Sequence, residues 1–289
     1  MLATVALLWG ASFLFIKVAV RELSPATLIM GRLGLATLAL AVMVPLMIGR
    51  RETLGALAAN WRWLAAIGLV NVAIPFWLLS WGETRIDSGL ASIIQASVPI
   101  FNAVLAFAFF HEVRVGGLRL LGVAIGFVGV ALLVGAQPEG KVLGALAVVG
   151  MALCYAIGQL LAGRYLAHVP PPAVALGTTA VAAVAALPAG IVQAPQSTPS
   201  WQTIGSVVAL AVPLTAVAFL LFYAIIAGAG AAYASLVTYL VPPIALAYGA
   251  IFLDERFAAS AFGALLLIFV GVVLGTGRVR FRRPVPSRA

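Results

Sequence analysis

The longest uncharged stretch of the chain lies between Arg164 and Asp254, and it contains no Asp, Glu, Lys or Arg. A water-facing domain of that length needs charged side chains, which make up roughly 25% of soluble domains. The whole chain is 9% charged and 64% hydrophobic. This composition excludes a soluble globular domain and predicts an integral membrane protein embedded in a lipid bilayer.

Ten apolar segments are each long enough to form a helix of about 20 residues that crosses a bilayer. Short connectors rich in charge, Pro, Gly or Ser separate these segments, and none of the connectors is long enough for a domain. The sequence therefore predicts an all-α integral membrane protein with ten transmembrane helices. The predicted spans cover residues 2–20, 26–48, 63–80, 88–110, 116–136, 142–163, 172–192, 203–227, 231–253 and 258–276.

The distribution of Lys and Arg predicts how the chain is oriented. If the basic tail, residues 277–289, is cytoplasmic, ten spans place the N-terminus on the same side. The cytoplasmic connectors and the tail then hold more than twice as many Lys and Arg side chains as the outside connectors. Basic residues gather on the cytoplasmic side, so both termini are predicted to be cytoplasmic. The same bias explains the net charge of +9, so no nucleic-acid partner is predicted.

One pattern occurs twice in the chain. Pro99 precedes Glu112 by the same distance in sequence as Pro242 precedes Glu255, and the two copies lie about half the chain length apart. Each pattern closes an apolar run, the fourth and the ninth of the ten. Five spans followed by five more place the second half in the membrane upside down relative to the first. This is an inverted repeat, a hallmark of secondary transporters.

Two further motifs accompany the repeat: "LLWGASFLFIK" in the first span and "SPATLIMGR" at the start of the second. With them, the chain resembles the EamA family of the drug/metabolite transporter superfamily, and within it the amino-acid exporters. The resemblance covers two copies, residues 1–136 and 142–276. It implies two inverted five-helix repeats around a central cavity, a small-molecule substrate, and a bacterial cytoplasmic (inner) membrane location. The second copy lacks counterparts of Trp9, Lys17 and Arg32, so any charged site is expected to be asymmetric.

Polar and aromatic residues inside the spans are candidates to line that cavity, because polar groups in a bilayer need a partner or water. Ser92, Gln95 and Pro99 fall on one helical face. The sequence offset that maps Pro99 to Pro242, called the repeat offset below, also maps Ser92 to Ser235 and Gln95 to Thr238. Packing across helix contacts, or an interface belt for the aromatics, is the alternative. The predicted cavity residues are Trp9, Ser12, Phe13, Trp77, Trp81, Ser92, Gln95, Tyr155, Gln159, Tyr223, Ser235, Thr238 and Tyr239.

Prolines and basic residues inside the spans give further candidates. A proline removes a backbone donor and kinks a helix. Lys17 and Arg32 are the basic residues well inside spans, and either could meet a substrate carboxylate. The alternatives are snorkelling for Lys17 and an ion pair or carbonyl cap for Arg32. Helix kinks are predicted at Pro75, Pro99, Pro213 and Pro242.

All carboxylates lie at span ends or in connectors. Proton-coupled carriers usually keep an ionisable group in mid-membrane, so the sequence predicts a facilitator or exchanger. Glu112 and Glu255 are expected to cap turns and to pair with Arg114 and Arg256.

The chain lacks the sequence motifs of several other classes of protein. The chain has no Gly-rich ATP-binding loop, so ATP is not expected to drive it. With two His and one Cys, Cys154, neither a metal site nor an intrachain disulfide is expected, and no cofactor is predicted.

The predicted function is a secondary transporter that exports amino acids, including aromatic and other neutral ones, by alternating access. An exporter of drugs, nucleosides or other small metabolites remains an alternative on the same scaffold. A membrane-embedded lipid enzyme is a less favoured alternative, because it would need acids, His or Ser/Asp pairs clustered at one membrane face. A passive channel is a further alternative, and its flux would not saturate with substrate concentration. A monomer is expected, with an oligomer left open.

Overall fold

The computed structural model describes residues 1–109, 117–135, 139–229 and 237–275, and within these ranges the chain is helical with no β-strand. Two helices are continued through a π-helical turn, Leu69–Ala73 between α3 and α4 and Val212–Val217 between α10 and α11. The helices are α1 Leu2–Ala19, α2 Pro25–Ile48, α3 Arg50–Gly68, α4 Ile74–Glu83, α5 Ser88–Gln95, α6 Val98–Phe109, α7 Gly117–Gly135, α8 Glu139–Tyr165, α9 Pro171–Val192, α10 Trp201–Ala211, α11 Ala218–Ala229, α12 Val237–Phe252 and α13 Ala259–Gly275.

Helix starts follow local sequence signals. Ser24 precedes Pro25 and accepts a hydrogen bond from the Thr27 backbone N–H at 3.2 Å. Ser200 caps α10 in the same way, through the Thr203 N–H at 3.2 Å. A side-chain oxygen at this position satisfies one of the backbone donors that a helix start leaves open.

α3 begins at Arg50, inside the connector predicted over residues 49–62, so most of that connector is helical. Gly49 alone separates α2 from α3, with a φ of 87° that suits glycine. Ala, Leu, Arg and Glu dominate the segment that follows, and these residues favour a helix even where it leaves the apolar layer. The charged residues here therefore do not mark a helix boundary.

Prolines interrupt the helices in two ways. At Pro99 the helix breaks, because α5 ends at Gln95 and α6 begins at Val98. The Ser97 hydroxyl donates to the Ile94 carbonyl at 2.6 Å and satisfies an acceptor beside the break. Pro75 directly follows the first π-helical turn and Pro213 lies inside the second. Pro242 lies within α12, which is one continuous helix.

Seven helical segments are long and apolar enough to cross a membrane, and three shorter apolar helices accompany them within the described residues. Large apolar side chains face outwards along them; Leu46 is 82% exposed and Val192 is 85% exposed. An apolar outer surface of this extent suits lipid and not water. The described part of the chain therefore has the architecture of a multi-pass membrane protein.

The two halves of the chain pack their helices in a similar way. The repeat offset assigns to each helix of the first half an equivalent helix in the second half, when α3–α4, α5–α6 and α10–α11 are each counted as one span. Helices that contact each other mostly have equivalents that also contact each other. The pairs α7–α13, α2–α9 and α5–α12 join equivalent spans, and the other main contacts have counterparts. The counterparts are α1–α12 with α6–α8, α1–α10 with α4–α8, and α2–α10 with α3–α9. The starts of the two π-helical turns are also related by the repeat offset, and so are Pro45 in α2 and Pro188 in α9.

Candidate functional site

A guanidinium group lies in the interior of the bundle. Arg32 of α2 is 5% exposed, and its Nε donates to the Thr215 Oγ1 at 3.0 Å. Thr215 lies in the second π-helical turn, and its hydroxyl donates onward to the Leu210 carbonyl at 2.7 Å. The Arg32 guanidinium carbon lies 4.2 Å from the centre of the Phe76 ring, a distance typical of a cation–π contact.

Further aromatic rings pack around Phe76 and its neighbours. Trp9 of α1 contacts Phe219 edge-on, with ring centroids 6.3 Å apart, and Phe222 at 4.9 Å. Phe219 and the half-buried Tyr155 of α8 pack against the same buried cluster, which includes Phe76. The Arg32 site, as the name is used below, consists of Trp9, Arg32, Phe76, Tyr155, Thr215 and Phe219.

No carboxylate within the described ranges forms an ion pair in the Arg32 site, although the buried Glu83 carboxyl group attracts the guanidinium from a longer distance. Arg32 forms no ion pair with any residue there, and Nε is the one guanidinium nitrogen that donates a hydrogen bond to those residues. The remaining N–H groups of a guanidinium form a planar fork that matches a carboxylate. The guanidinium therefore has donors left that suit a carboxylate.

A second polar region lies where the connectors after α1, α4, α9 and α12 meet the start of α8. We call it the Glu83 end. Lys17 Nζ donates to the carbonyl oxygens of Glu83 and Ile86, both at 2.7 Å. A cation suits this position because the last carbonyls of α4 carry partial negative charge. Lys17 is therefore held by the end of α4, and it forms no ion pair with a described residue.

Glu255 ties the two halves together at the Glu83 end. Its carboxylate accepts hydrogen bonds from the Ser88 N–H at 2.8 Å, the Gly89 N–H at 3.1 Å and the Ser88 hydroxyl at 3.0 Å. The expected cap is thus present, but at the start of α5, and the carboxylate forms no ion pair with Arg256. A helix N-terminus competes well for a carboxylate because its N–H groups lack internal partners. Glu112 and Arg114 lie outside the described residues.

Two other contacts join the halves at the same end. Glu22 accepts from the Ser200 N–H at 2.7 Å and from its hydroxyl at 2.6 Å. The hydrogen bonds from the Ser200 hydroxyl and backbone hold the pKa of Glu22 below its ordinary value. Lys141 lies 3.9 Å from Asp87.

Glu83 itself has different surroundings. Its side chain is 0% exposed, and neither carboxylate oxygen has a hydrogen-bond partner among the described residues. Sequence position placed Glu83 correctly at a span end but gave no sign of its burial.

The predicted cavity residues fall into several places. Ser12 and Ser92 are buried, and their hydroxyls donate within their own helices, to the Leu8 carbonyl at 3.4 Å and the Gly89 carbonyl at 2.6 Å. Gln95 is half-buried at the end of α5, beside the break before Pro99. Phe13 is 2% exposed in the main core.

The other predicted residues have contacts of their own outside the Arg32 site. Gln159 is exposed and its Oε1 accepts from the Asn102 amide at 2.7 Å. Trp77 stacks on Trp81 with centroids 6.2 Å apart. Tyr239 contacts the Phe269 ring edge-on at 5.7 Å, and Thr238 beside it is half-buried. Ser235 lies outside the described residues, and for Tyr223 the backbone alone is described.

Trp77 also lines a cavity of about 420 Å³ between α2, α4 and α9. Its walls are apolar, and most of the α9 side is alanine. This cavity lies at the side of the bundle and lacks polar anchors, so it differs from the central cavity that the sequence predicts.

Sequence reasoning missed Thr215 and Phe76 as neighbours of Arg32. Thr215 follows shortly after Pro213 inside an apolar run, and that isolated hydroxyl is the signal that could have found it. Phe76 carries no such signal, because an aromatic residue in an apolar span is most often core.

The described architecture, with its apolar surface and internal guanidinium, defines a multi-pass membrane protein with a polar interior. Comparison with known families then gives its class. The EamA-like transporter family matches residues 1–135 and 142–276. The chain belongs to this family, and it is therefore a transporter and not an enzyme.

Curated relatives carry related names. A "Probable terminal-alkyne amino-acid exporter" of Streptantibioticus cattleyicolor is 29% identical over 95% of this chain and 92% of its own length. A "Probable amino-acid metabolite efflux pump" of Escherichia coli is 26% identical over 97% and 95%. An "Uncharacterized transporter" of Archaeoglobus fulgidus is 32% identical over 46% of this chain and 45% of its own.

A solved structure has a similar fold. It aligns with a TM-score of 0.67 over 97% of both chains at 18% sequence identity. At this identity the likeness concerns the fold alone.

Proposed function

We propose that the protein is a secondary transporter that exports amino acids, aromatic and other neutral ones among them, by alternating access and without ATP. The observation that carries the proposal is the Arg32 site, where an internal guanidinium with no carboxylate partner in the described ranges lies among aromatic rings. The names of the relatives from Streptantibioticus cattleyicolor and Escherichia coli support the same substrate class.

The proposed architecture has ten transmembrane helices in two inverted repeats, residues 1–136 and 142–276, followed by the basic tail 277–289. Two observations support this architecture: helix contacts in one half have equivalents in the other, and the two π-helical turns start at positions related by the repeat offset. π-Helical turns are frequent at functional sites. The proposed setting is the bacterial inner membrane with both termini in the cytoplasm, which places the Glu83 end outside.

In the proposed binding mode, Arg32 binds the substrate carboxylate while Trp9, Tyr155 and Phe219 contact its side chain. Thr215 holds Nε, so the other edge of the guanidinium stays oriented towards the solute. A charge-assisted hydrogen bond contributes about 1.5–3 kcal/mol. Loss of this contact should therefore weaken binding roughly 10–150-fold, at about 1.4 kcal/mol per factor of ten.

The test compares Arg32→Gln with the wild type for two ligands, an aromatic amino acid and the amine that lacks its carboxylate. The wild type should bind the amino acid more tightly, and Arg32→Gln should lose most of that preference while amine binding changes little. Arg50→Gln is the matched control, because Arg50 is exposed at the start of α3. If Arg32→Gln weakens both ligands equally, the guanidinium does not recognise the carboxylate.

Two further variants test the predicted cavity. Trp9→Ala and Gln95→Ala should each lower transport while membrane insertion stays normal, because Trp9 belongs to the Arg32 site and Gln95 lies at the helix break. Unchanged flux in both variants would remove these residues from the cavity.

An exporter of drugs or other apolar metabolites is the second candidate, favoured by the apolar cavity beside Trp77. It predicts that apolar cations compete for transport and that Arg32→Gln leaves their flux unchanged.

A further inference from the structure

Glu83 is a buried acid with no hydrogen-bond partner in the described part of the chain. Its side chain is 0% exposed at the last residue of α4, and no donor of those residues reaches either carboxylate oxygen. An ionised carboxylate in an apolar interior costs far more than a neutral one unless it is paired. Such a group avoids this cost by binding a proton.

Lys17 and Arg32 attract the Glu83 carboxylate, but neither forms an ion pair or a hydrogen bond with it. The ammonium of Lys17 donates to two backbone carbonyls, one of them the carbonyl of Glu83. Glu255 brings a second negative charge close to Glu83 and is itself bound to the start of α5. The charged groups that face this end of α4 from neighbouring elements are Lys17 of α1, Arg32 of α2, Glu255 after α12, and Lys141 of α8 with its partner Asp87.

The location of Glu83 connects its protonation with the shape of the protein. The Glu83 end is held together by contacts between the halves, including Glu255 with Ser88 and Glu22 with Ser200. If this end opens, water reaches Glu83 and the ionised form becomes stable. If it closes, the neutral form is favoured. The two arrangements therefore differ in bound protons, which makes their equilibrium depend on pH.

We infer that Glu83 is a proton-binding site that closes the Glu83 end of the transporter when it is protonated. This inference rests on the proposed alternating-access function, and it differs from the uncoupled facilitator that the positions of the acids had predicted. Because the closed state binds the proton, falling pH favours closure and rising pH favours opening. One proton shifts the ratio of open to closed protein by at most about tenfold per pH unit.

The experiment measures opening without measuring transport. Ser80, one turn before Glu83, is 0% exposed, and Ser80→Cys in a Cys154→Ala background reports water access through its reaction with a polar maleimide. Rates are divided by those of Thr84→Cys, at an exposed position, which removes the pH dependence of the thiol reaction itself. Lipid nanodiscs leave both ends accessible, so the result does not depend on orientation.

The normalised rate should rise with pH in the otherwise wild-type protein. Glu83→Gln mimics the protonated acid, so its rate should stay low and independent of pH, whereas Glu83→Asp should retain the pH dependence. Glu52→Gln is the matched control, because Glu52 is exposed at the start of α3, and it should behave as the wild type. An unchanged pH dependence in Glu83→Gln, or none in the wild type, overturns the inference.

A spectroscopic measurement decides the matter if Glu83→Gln fails to fold. The infrared band of a protonated carboxylic acid should appear in the wild type as pH falls and should shift in Glu83→Asp. Absence of a titrating band overturns the inference. If these results are positive but no substrate is transported, the proton site stands and the proposed function fails.

Discussion

Replacing Glu255 by Gln should loosen the contact between the two halves at the Glu83 end. The carboxylate accepts three hydrogen bonds from Ser88 and Gly89, and two of them come from backbone N–H groups at the start of α5. Gln keeps one acceptor oxygen, but it removes the charge and presents an amide N–H₂ to the remaining donors. A hydrogen bond to a charged group contributes about 1.5–3 kcal/mol, so a net loss of about 1–3 kcal/mol is expected.

That loss should appear in the balance between the closed and open arrangements. If the contact exists in the closed arrangement alone, about 1–3 kcal/mol corresponds to a shift of roughly 5–150-fold. The assay is the maleimide reaction of Ser80→Cys, whose normalised rate should rise by a factor in this range.

Asp254→Asn is the matched control for Glu255→Gln. Asp254 is adjacent and exposed, and Asn tolerates its backbone φ of 54°. A Glu255→Gln rate equal to that of this control would refute the reasoning, because the contact would then persist in both arrangements or contribute nothing to closure.

Two other predictions concern stability. In Gly271→Ala the new Cβ would lie 2.5 Å from the Gly126 Cα, so thermal unfolding should show a loss of about 1–3 kcal/mol, whereas Gly263→Ala, with no atom within 4 Å, should show none. The hydrogen bonds from Ser200 lower the pKa of Glu22 in the folded protein. Ionised Glu22 therefore stabilises the fold above the pKa that it has in the unfolded chain, and this stabilisation disappears as the pH falls through the pKa that it has in the folded protein. Glu22→Gln should therefore be less stable than the wild type at neutral pH, and melting curves of the two should converge in acid; a constant difference would contradict this assignment.

The sequence predicted a helical membrane protein correctly, because a bilayer imposes a length and a composition on every crossing segment. The break at Pro99 followed from the missing N–H of proline. The start of α3 at Arg50 did not follow from composition, since a helix can continue into water while its composition changes. The π-helical turns next to Pro75 and around Pro213 were not predicted.

The candidate site was predicted less completely. Arg32 stood out because it is a basic residue inside a span, but its partner Thr215 is distant in sequence and depends on the packing of α2 against the second π-helical turn. Glu83 looked like an ordinary span-end acid. Its burial depends on elements distant in sequence that pack around the end of α4, and no local sequence pattern indicates that packing.

The most direct test of the central claim is efflux from proteoliposomes preloaded with labelled amino acids, without ATP and over a range of concentrations. The account predicts saturable efflux of a subset of amino acids, accelerated by unlabelled amino acid on the opposite side, because a carrier returns faster when it is loaded. Flux that never saturates would indicate a channel, and the absence of flux for every amino acid would contradict the proposed substrate class.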